Sequence, residues 1–228
     1  MKTWDTRQLA PSQQFGYWRE VLCEAFTALD SLPRAPRAYG STVSLHEMAQ
    51  VNAVELSSFA QEVVRGQDEI RRRADAYFFV NLQLEGRCAV EQDGRHMEVA
   101  PGSFYLVDTT RPYRLGFVDS FRALSFRIPH PQLLPLLPEP RKITAVKVDA
   151  AAGIGCLAAA HMQGIMRCAA QLSPATGPGL SSTLAELVAM SLRGSASMNA
   201  GSRDVVRKAF RESIIRHVEA NSADPDLS

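Results

Sequence analysis

Residues 77–108 read YFFVNLQLEGRCAVEQDGRHMEVAPGSFYLVD, and the fold class turns on this stretch. Phe78, Val80, Leu82 and Leu84 alternate with Tyr77, Phe79, Asn81 and Gln83, the period of two that marks a strand with unlike faces. Glu85-Gly86 breaks the run. Asp93-Gly94 then separates Cys88 to Gln92 from Arg95 to Val99. A type I′ hairpin needs positive φ at both central residues, and Asp-Gly meets that need at low steric cost. Pro101-Gly102 supplies a further turn before Phe104 to Asp108. An apolar meander that reverses this often is the habit of small barrels and sandwiches. Such a barrel either fills its interior with its own side chains or holds a ligand.

Strand-like residues extend on both sides of the meander. Gly40 to Met48, Val51 to Phe59 and Val63 to Ile70 precede it, and Tyr113 to Phe117 and Phe121 to Ile128 follow. Leu124, Phe126 and Ile128 form a wholly apolar row that suits packing under helices, as do Phe78, Val80, Leu82 and Leu84. The opposite rows, Phe121, Ala123 and Ser125 with Phe79, Asn81 and Gln83, mix aromatic and polar groups as ligand cavities do. Asn81 and Gln83 are then buried amides that need partners from neighbouring side chains, water or a bound molecule. Arg71, Arg72 and Arg73 precede the meander. Successive strand residues point to opposite faces, so Arg71 or Arg73 could meet an anion at the barrel mouth through its guanidinium fork. A solvated edge that discourages strand pairing is the plainer reading of the same run.

The flanks are helical. Ser12 is a candidate cap for a helix in which Phe15, Trp18, Leu22, Ala25, Phe26 and Leu29 make one apolar stripe. Trp18 reads as a core anchor, and Pro33 and Pro36 end the helix. Five prolines between Pro129 and Pro140 exclude a long helix there. Asp149 to Leu172 and Leu180 to Arg193 read as helices joined by the turn SPATGPG, an antiparallel pair whose outer face, with Leu180, Leu184, Leu187 and Met190, either docks a second copy or covers its own sheet. Residues 194–202, GSASMNAGS, form a small-residue linker and the best boundary in the chain. Beyond it Arg203 to Ala220 reads as another amphipathic helix, and Ala223 to Ser228 as the lead into a further one, like a domain cut after its first helix.

Composition narrows the function classes. The chain has 228 residues, 46% hydrophobic and 21% charged, with net charge +1. That is an ordinary globular composition, and the near-neutral balance argues against a surface built mainly for nucleic acid. Cys23, Cys88, Cys156 and Cys168 are scattered, which fits reduced thiols. No segment has signal-peptide or membrane-span character, so a cytoplasmic protein with no membrane partner is expected.

Several segments together resemble the regulatory domain of the AraC/XylS transcription regulators, of the AraC-binding-like type. They are the Phe15/Trp18 helix, LQLEG-x-C-x-V-x-QDGR from Leu82 to Arg95, APGSFYLVDTTRPY from Ala100 to Tyr113, FRALSFRIP from Phe121 to Pro129, and the terminal IIRHVEANSADPDLS. The resemblance implies an α+β fold: a cupin-like barrel or jelly roll over about residues 38–129, an N-terminal helix, and a C-terminal helix pair over about 149–193. It implies that residues 1–193 sense a small organic effector, with aromatic and carboxylate compounds the candidate classes, and form a homodimer. Residues 203–228 would then be the first helix of a helix-turn-helix module, with DNA a partner only of a full-length protein. The expected effector contacts are Arg71, Phe79, Asn81, Gln83, Tyr113, Phe117, Phe121 and Ser125.

Two alternatives remain. A metal-dependent cupin enzyme places a His-x-His pair and a carboxylate on adjacent strands, whereas the meander offers only His96, and His46, His130, His161 and His217 are dispersed. No metal, cofactor or catalytic activity is therefore expected. The other alternative is a dimerisation module with a filled barrel, which predicts a cavity with room only for water.

Overall fold

The structure is a computed structural model, and it describes residues 1–34, 40–48, 51–137 and 139–195. The expected linker 194–202 and helix 203–220 therefore lie almost wholly outside the described residues. Among those described, the strands form two antiparallel sheets. The larger runs edge to edge through β1 (Lys2–Asp5), β3 (Thr42–Met48), β4 (Val51–Ser58), β11 (Phe121–Pro129), β6 (Tyr77–Glu85), β9 (Ser103–Asp108) and β12 (Val148–Asp149). The smaller runs through β2 (Asp30–Pro33), β5 (Gln61–Arg65), β10 (Tyr113–Phe117), β7 (Cys88–Gln92) and β8 (Arg95–Val99).

The expected hairpin joins β7 to β8. Gln92 pairs with Arg95 across a two-residue loop, and Asp93 and Gly94 have φ of 52° and 71°, both positive as type I′ demands. Gly102, at φ 77°, turns the chain from β8 into β9.

The large sheet separates two apolar cores. On its outer face Phe78, Val80, Leu82, Leu124, Phe126 and Ile128 pack against α5 (Gly153–Cys168) through Ala158, Met162 and Ile165, and against α6 (residues 177–195) through Leu184, Val188 and Leu192. The short helices α3 (His130–Leu133) and α4 (Pro140–Ile143), which the prolines permit, close that side with Leu133 and Ile143. On the inner face Phe79, Tyr105, Val107 and Phe121 meet Val63, Val90 and Tyr113 of the small sheet. There α1 (Pro11–Ala25) buries Trp18, Val21 and Leu22. Each fully buried side chain of this size contributes about 1.5–3 kcal/mol, so the stripe of α1 is better used against the barrel than in solvent.

Four expectations are corrected. Ser12 does not cap α1: Ala10 precedes the helix and Pro11 occupies its first position, where a missing N–H costs nothing. The helix ends at Ala25, and Pro33 closes a strand instead. The segment from Val63 to Ile70 is not one strand, because β5 stops at Arg65 and α2 (Gln67–Arg72) begins behind Gly66. The Gly66 N–H donates to Glu69 Oε2 at 2.9 Å, and Asp68 and Glu69 suit the positive end of the helix dipole. Finally, α6 begins at residue 177, earlier than Leu180.

Two polar devices lock the frame. Arg65, fully buried, donates from Nε to the Thr109 carbonyl at 2.8 Å, from Nη2 to that of Arg73 at 2.7 Å, and from Nη1 to that of Ala28. It ties three loops together at one end of the barrel. Asp108, 1% exposed, accepts from the Thr110 backbone and hydroxyl, from Arg111 Nη1 at 2.8 Å and from His130 Nε2 at 3.0 Å. Burial alone would raise the Asp108 pKa, but the bonds from His130 and Thr110 outweigh it and hold the carboxyl below 3.8.

A carboxyl depressed in the folded state contributes stability that is complete above its unfolded pKa and is lost as pH falls through the folded value. Asp108→Asn should therefore cost about 1–3 kcal/mol at pH 7 and decline less steeply than the wild type below pH 3.8. Urea melts at pH 7 and pH 3 read both effects. A backbone test compares two glycines at φ 71°. A Cβ at Gly94 meets nothing within 4 Å, whereas at Gly86 it would lie 2.4 Å from the Ser120 carbonyl oxygen. Gly94→Ala should cost about 1–2 kcal/mol of backbone strain, and Gly86→Ala should lower the melting temperature several-fold further.

Candidate functional site

Between the two sheets lies a cavity of about 50 Å³. Its walls come from period-two rows on several strands: Asn81 and Phe79 on β6, Tyr105 and Val107 on β9, Phe121, Ala123 and Ser125 on β11, Tyr113, Leu115 and Phe117 on β10, and Gln61 and Val63 on β5. Leu22 and Phe26, at the end of α1, close one side with Leu29 and Leu56. Phe117 and Phe121 stack with centroids 3.7 Å apart and planes 12° from parallel. Phe26 meets Phe79 edge to face at 5.5 Å. A water needs about 10–15 Å³ in this measure, so the cavity as it stands has room for a few waters.

The polar groups at this wall have a common property. Gln61 Nε2, Asn81 Nδ2 and Ser125 Oγ are buried and find no protein partner. An unsatisfied buried polar group costs about 1–3 kcal/mol, so the three leave an unmet hydrogen-bonding demand at one wall of the cavity. The orientation of Gln61 is pinned from behind. Trp18 Nε1 donates to Gln61 Oε1 at 2.9 Å and Ser31 Oγ to the same oxygen at 2.6 Å. An indole can only donate, so the amide nitrogen must be the atom turned away from Trp18. Asn81 and Ser125 are direct partners across the β6–β11 ladder, which sets their Cβ atoms about 4.5–5.5 Å apart on one wall.

Among the described residues, the tyrosines are the only titratable groups lining the wall, and burial pushes the phenols of Tyr105 and Tyr113 up, keeping them neutral. Cys88, packed behind Tyr105, is raised by burial to about 12 and is a thiol at neutral pH. A wider cleft of about 480 Å³ lies by the β7–β8 hairpin, lined in part by Arg65, Glu91, Asp93 and Arg114. Its charges are of both signs, and Arg114 and Asp93 are already paired with Glu62 and Arg111, so it presents no comparable unmet demand.

Of the expected contacts, Phe79, Asn81, Tyr113, Phe117, Phe121 and Ser125 are brought together here. Gln83 is buried on the same strand but turns back, donating from Nε2 to the Glu85 carbonyl at 2.7 Å. Arg71 is corrected outright: it sits on α2, exposed and ion-paired with Asp68, because the chain becomes helical after Gly66. The buried arginine is Arg65, held by backbone carbonyls. Gln61 and Tyr105 escaped the sequence reading. Gln61 lies two residues before Val63, on the same face of β5, and Tyr105 continues the inward row of β9, so extending the alternation would have found both.

The helix-pair residues also divide. Leu184 is fully buried in the outer core and cannot face a partner, since α6 covers its own sheet. Leu180 and Leu187 are half-buried, and Met190 is exposed. Among the described residues, no three His, Cys, Asp or Glu side chains are grouped to hold a metal, and no helix is long and apolar enough to cross a membrane.

A two-sheet barrel with a cavity between its sheets, backed by helices on its outer face, is the cupin-like α+β architecture of an AraC-type regulatory domain. Residues 18–193 match the AraC-binding-like domain family, and the chain belongs to that family. It is 31% identical over 141 residues to the uncharacterized protein in the nit 5′ region of Bacillus sp. (strain OxB-1), a match spanning 62% of this chain and 55% of that one. It is 24% identical over 227 residues to the transcriptional activator NphR of Rhodococcus sp., spanning 98% of this chain and 67% of the relative. The crystal structure of the AraC-like transcriptional activator CuxR superposes with a TM-score of 0.73 at 18% identity, covering 100% of this chain and 80% of that one. The last likeness is one of fold.

If the orphaned amide of Asn81 exists for an occupant, its removal should help the unliganded fold. Asn81→Leu, similar in volume and free of the polar penalty, should raise stability by about 1 kcal/mol, measured as an increased midpoint in urea.

Proposed function

We propose that this chain is the effector-sensing part of an AraC-type transcription regulator, working in the cytoplasm, in which a small molecule held between the sheets controls a DNA-binding module. The observation that carries this reading is the convergence of Gln61, Asn81 and Ser125, buried and without protein partners, on an aromatic-walled cavity. In this reading residues 1–193 bind the effector and dimerise, 194–202 are the linker, and 203–228 begin the DNA-binding module. Binding rather than turnover suits the cavity: among the described residues it is lined by amides, a hydroxyl and aromatic faces, with no group that titrates near neutral pH. A homodimer would use the exposed side of α6 around Met190, with the edges of Leu180 and Leu187. The effector shifts the regulator only by its differential affinity for two arrangements of the domain.

One observation favours a second reading, the barrel as a packed dimerisation core: the cavity of about 50 Å³ is smaller than a single aromatic ring needs. The two readings separate in a thermal-shift screen of single-ring aromatics of every charge type. The sensor reading expects a hit that, at a hundred times its Kd, stabilises by about 2.7 kcal/mol. Ala123→Ile, which fills the cavity, should abolish the shift. A blank screen would leave the packed core as the better account.

A further inference from the structure

We infer that the polar chain of His130, Asp108, Arg111, Asp93 and Thr144 is a coupling relay, which makes the two ends of segment 130–147 yield together. That segment leaves β11, whose Phe121, Ala123 and Ser125 line the cavity, and leads through β12 into α5. Different parts of the barrel rim hold its two ends. At the first, His130 Nε2 lies 3.0 Å from Asp108 Oδ1, at the end of β9, and the imidazole stacks on Phe78 with centroids 4.2 Å apart. At the second, the Thr144 hydroxyl donates to Asp93 Oδ2 at 2.7 Å, in the turn between β7 and β8, and accepts from Arg95 Nη2 at 2.7 Å. Among the described residues, His130 and Thr144 share no hydrogen-bond partner.

One side chain joins the two ends. Arg111 donates from Nη1 to Asp108 Oδ2 at 2.8 Å and from Nε to Asp93 Oδ1 at 2.9 Å. The Arg111 side chain is 20% exposed, and those of Asp93 and Asp108 are 19% and 1%, so salt screens these pairs less than surface ones. Burial would raise both carboxyl pKa values, but the bonds from Thr144 and Arg111 hold Asp93 below 3.8, as those from His130 and Thr110 hold Asp108. At neutral pH the relay therefore runs carboxylate, guanidinium, carboxylate. If one carboxylate moves, Arg111 must follow it or be left less compensated, and an uncompensated buried charge is expensive. Gln92 stiffens the joint from behind, donating to the Asp108 carbonyl at 2.7 Å and accepting from the Asp108 N–H at 2.8 Å. The rim of the barrel and the lead into α5 thus form one polar unit, whatever the cavity holds.

Residues without a shared partner ordinarily contribute independently to stability, whereas members of one network do not. Urea unfolding of His130→Phe, which keeps a ring on Phe78, of Thr144→Val and of the double variant tests the relay. The combined change in the unfolding constant should differ from the product of the single changes by about threefold or more, and Arg111→Met should bring that difference below threefold. A smaller difference in the wild-type background, or one that survives Arg111→Met, would overturn the relay. Should Arg111→Met not fold, Asp93→Asn takes its place, since asparagine tolerates the positive φ there. Hydrogen exchange gives a second reading. Thr144→Val should speed exchange of the Thr110 amide, which donates to Asp108 Oδ1 at 2.9 Å, and His130→Phe that of the Ala145 amide, which donates to the Leu106 carbonyl at 2.9 Å. Arg114→Met, which breaks a surface pair with Glu62, should move neither. Unchanged exchange at either amide in the relay variants, or an equal response to Arg114→Met, rejects the relay.

Discussion

The pairing of β6 with β11 at the centre of the large sheet governs the rest of the molecule. Asn81 lies opposite Ser125, Val80 opposite Phe126 and Leu82 opposite Leu124. Side chains alternate across a strand, so a slip of one residue would turn Phe126 and Leu124 into the barrel and send Ser125 into the helical core. Two apolar faces of different character hold the register from both sides: a uniform one under α5 and α6, and a mixed one around the cavity. The ladder is regular from Tyr77 to Gln83 and shifts between Arg122 and Ala123, near where Gly86 approaches the Ser120 carbonyl. The end of the sheet that carries Phe121 is thus set by a bulge and a glycine together.

Within that frame the cavity is a local conflict between stability and binding. Apolar residues at Asn81 and Ser125 would satisfy the core better, since each orphaned polar group costs about 1–3 kcal/mol, whereas an apolar residue at Gln61 would strip Trp18 Nε1 and Ser31 Oγ of their acceptor. The surrounding packing tolerates the conflict because Trp18, Phe26, Phe79, Tyr105 and Tyr113 bury large surfaces beside it. Trp18 has two roles, filling the inner core and fixing the Gln61 amide. The helix that closes the barrel therefore also sets the chemistry of its wall.

Short-range signals in the chain were reliable where local physics had one answer. Asp93-Gly94 could make little else but a tight hairpin, and the alternation at Phe78 to Leu84 and at Phe121 to Ile128 sorted helix-facing from cavity-facing residues as the structure does. The reading failed where two local patterns compete. Val63 to Ile70 carries enough β-branched residues to pass as one strand, yet Gly66 with Glu69 behind it starts a helix, which removed Arg71 from the barrel. Leu184 and Met190 share a helix and look equally suited to an outer face, but only the packing of α6 on the sheet separates the buried one from the exposed one.

From the sequence alone came the strand meander, the turn chemistry, the two kinds of sheet face and six of the cavity's side chains, because period and turn residues are written in neighbours a few positions apart. The tertiary structure alone decided that Gln61 from the opposite sheet and Trp18 from the first helix meet, at a separation of 43 residues. It also decided that the buried arginine is Arg65, taken up by backbone, and that Gln61, Asn81 and Ser125 are left without protein partners for one polar atom each. Those properties belong to contacts between elements distant in the chain, and no local pattern records which elements will touch.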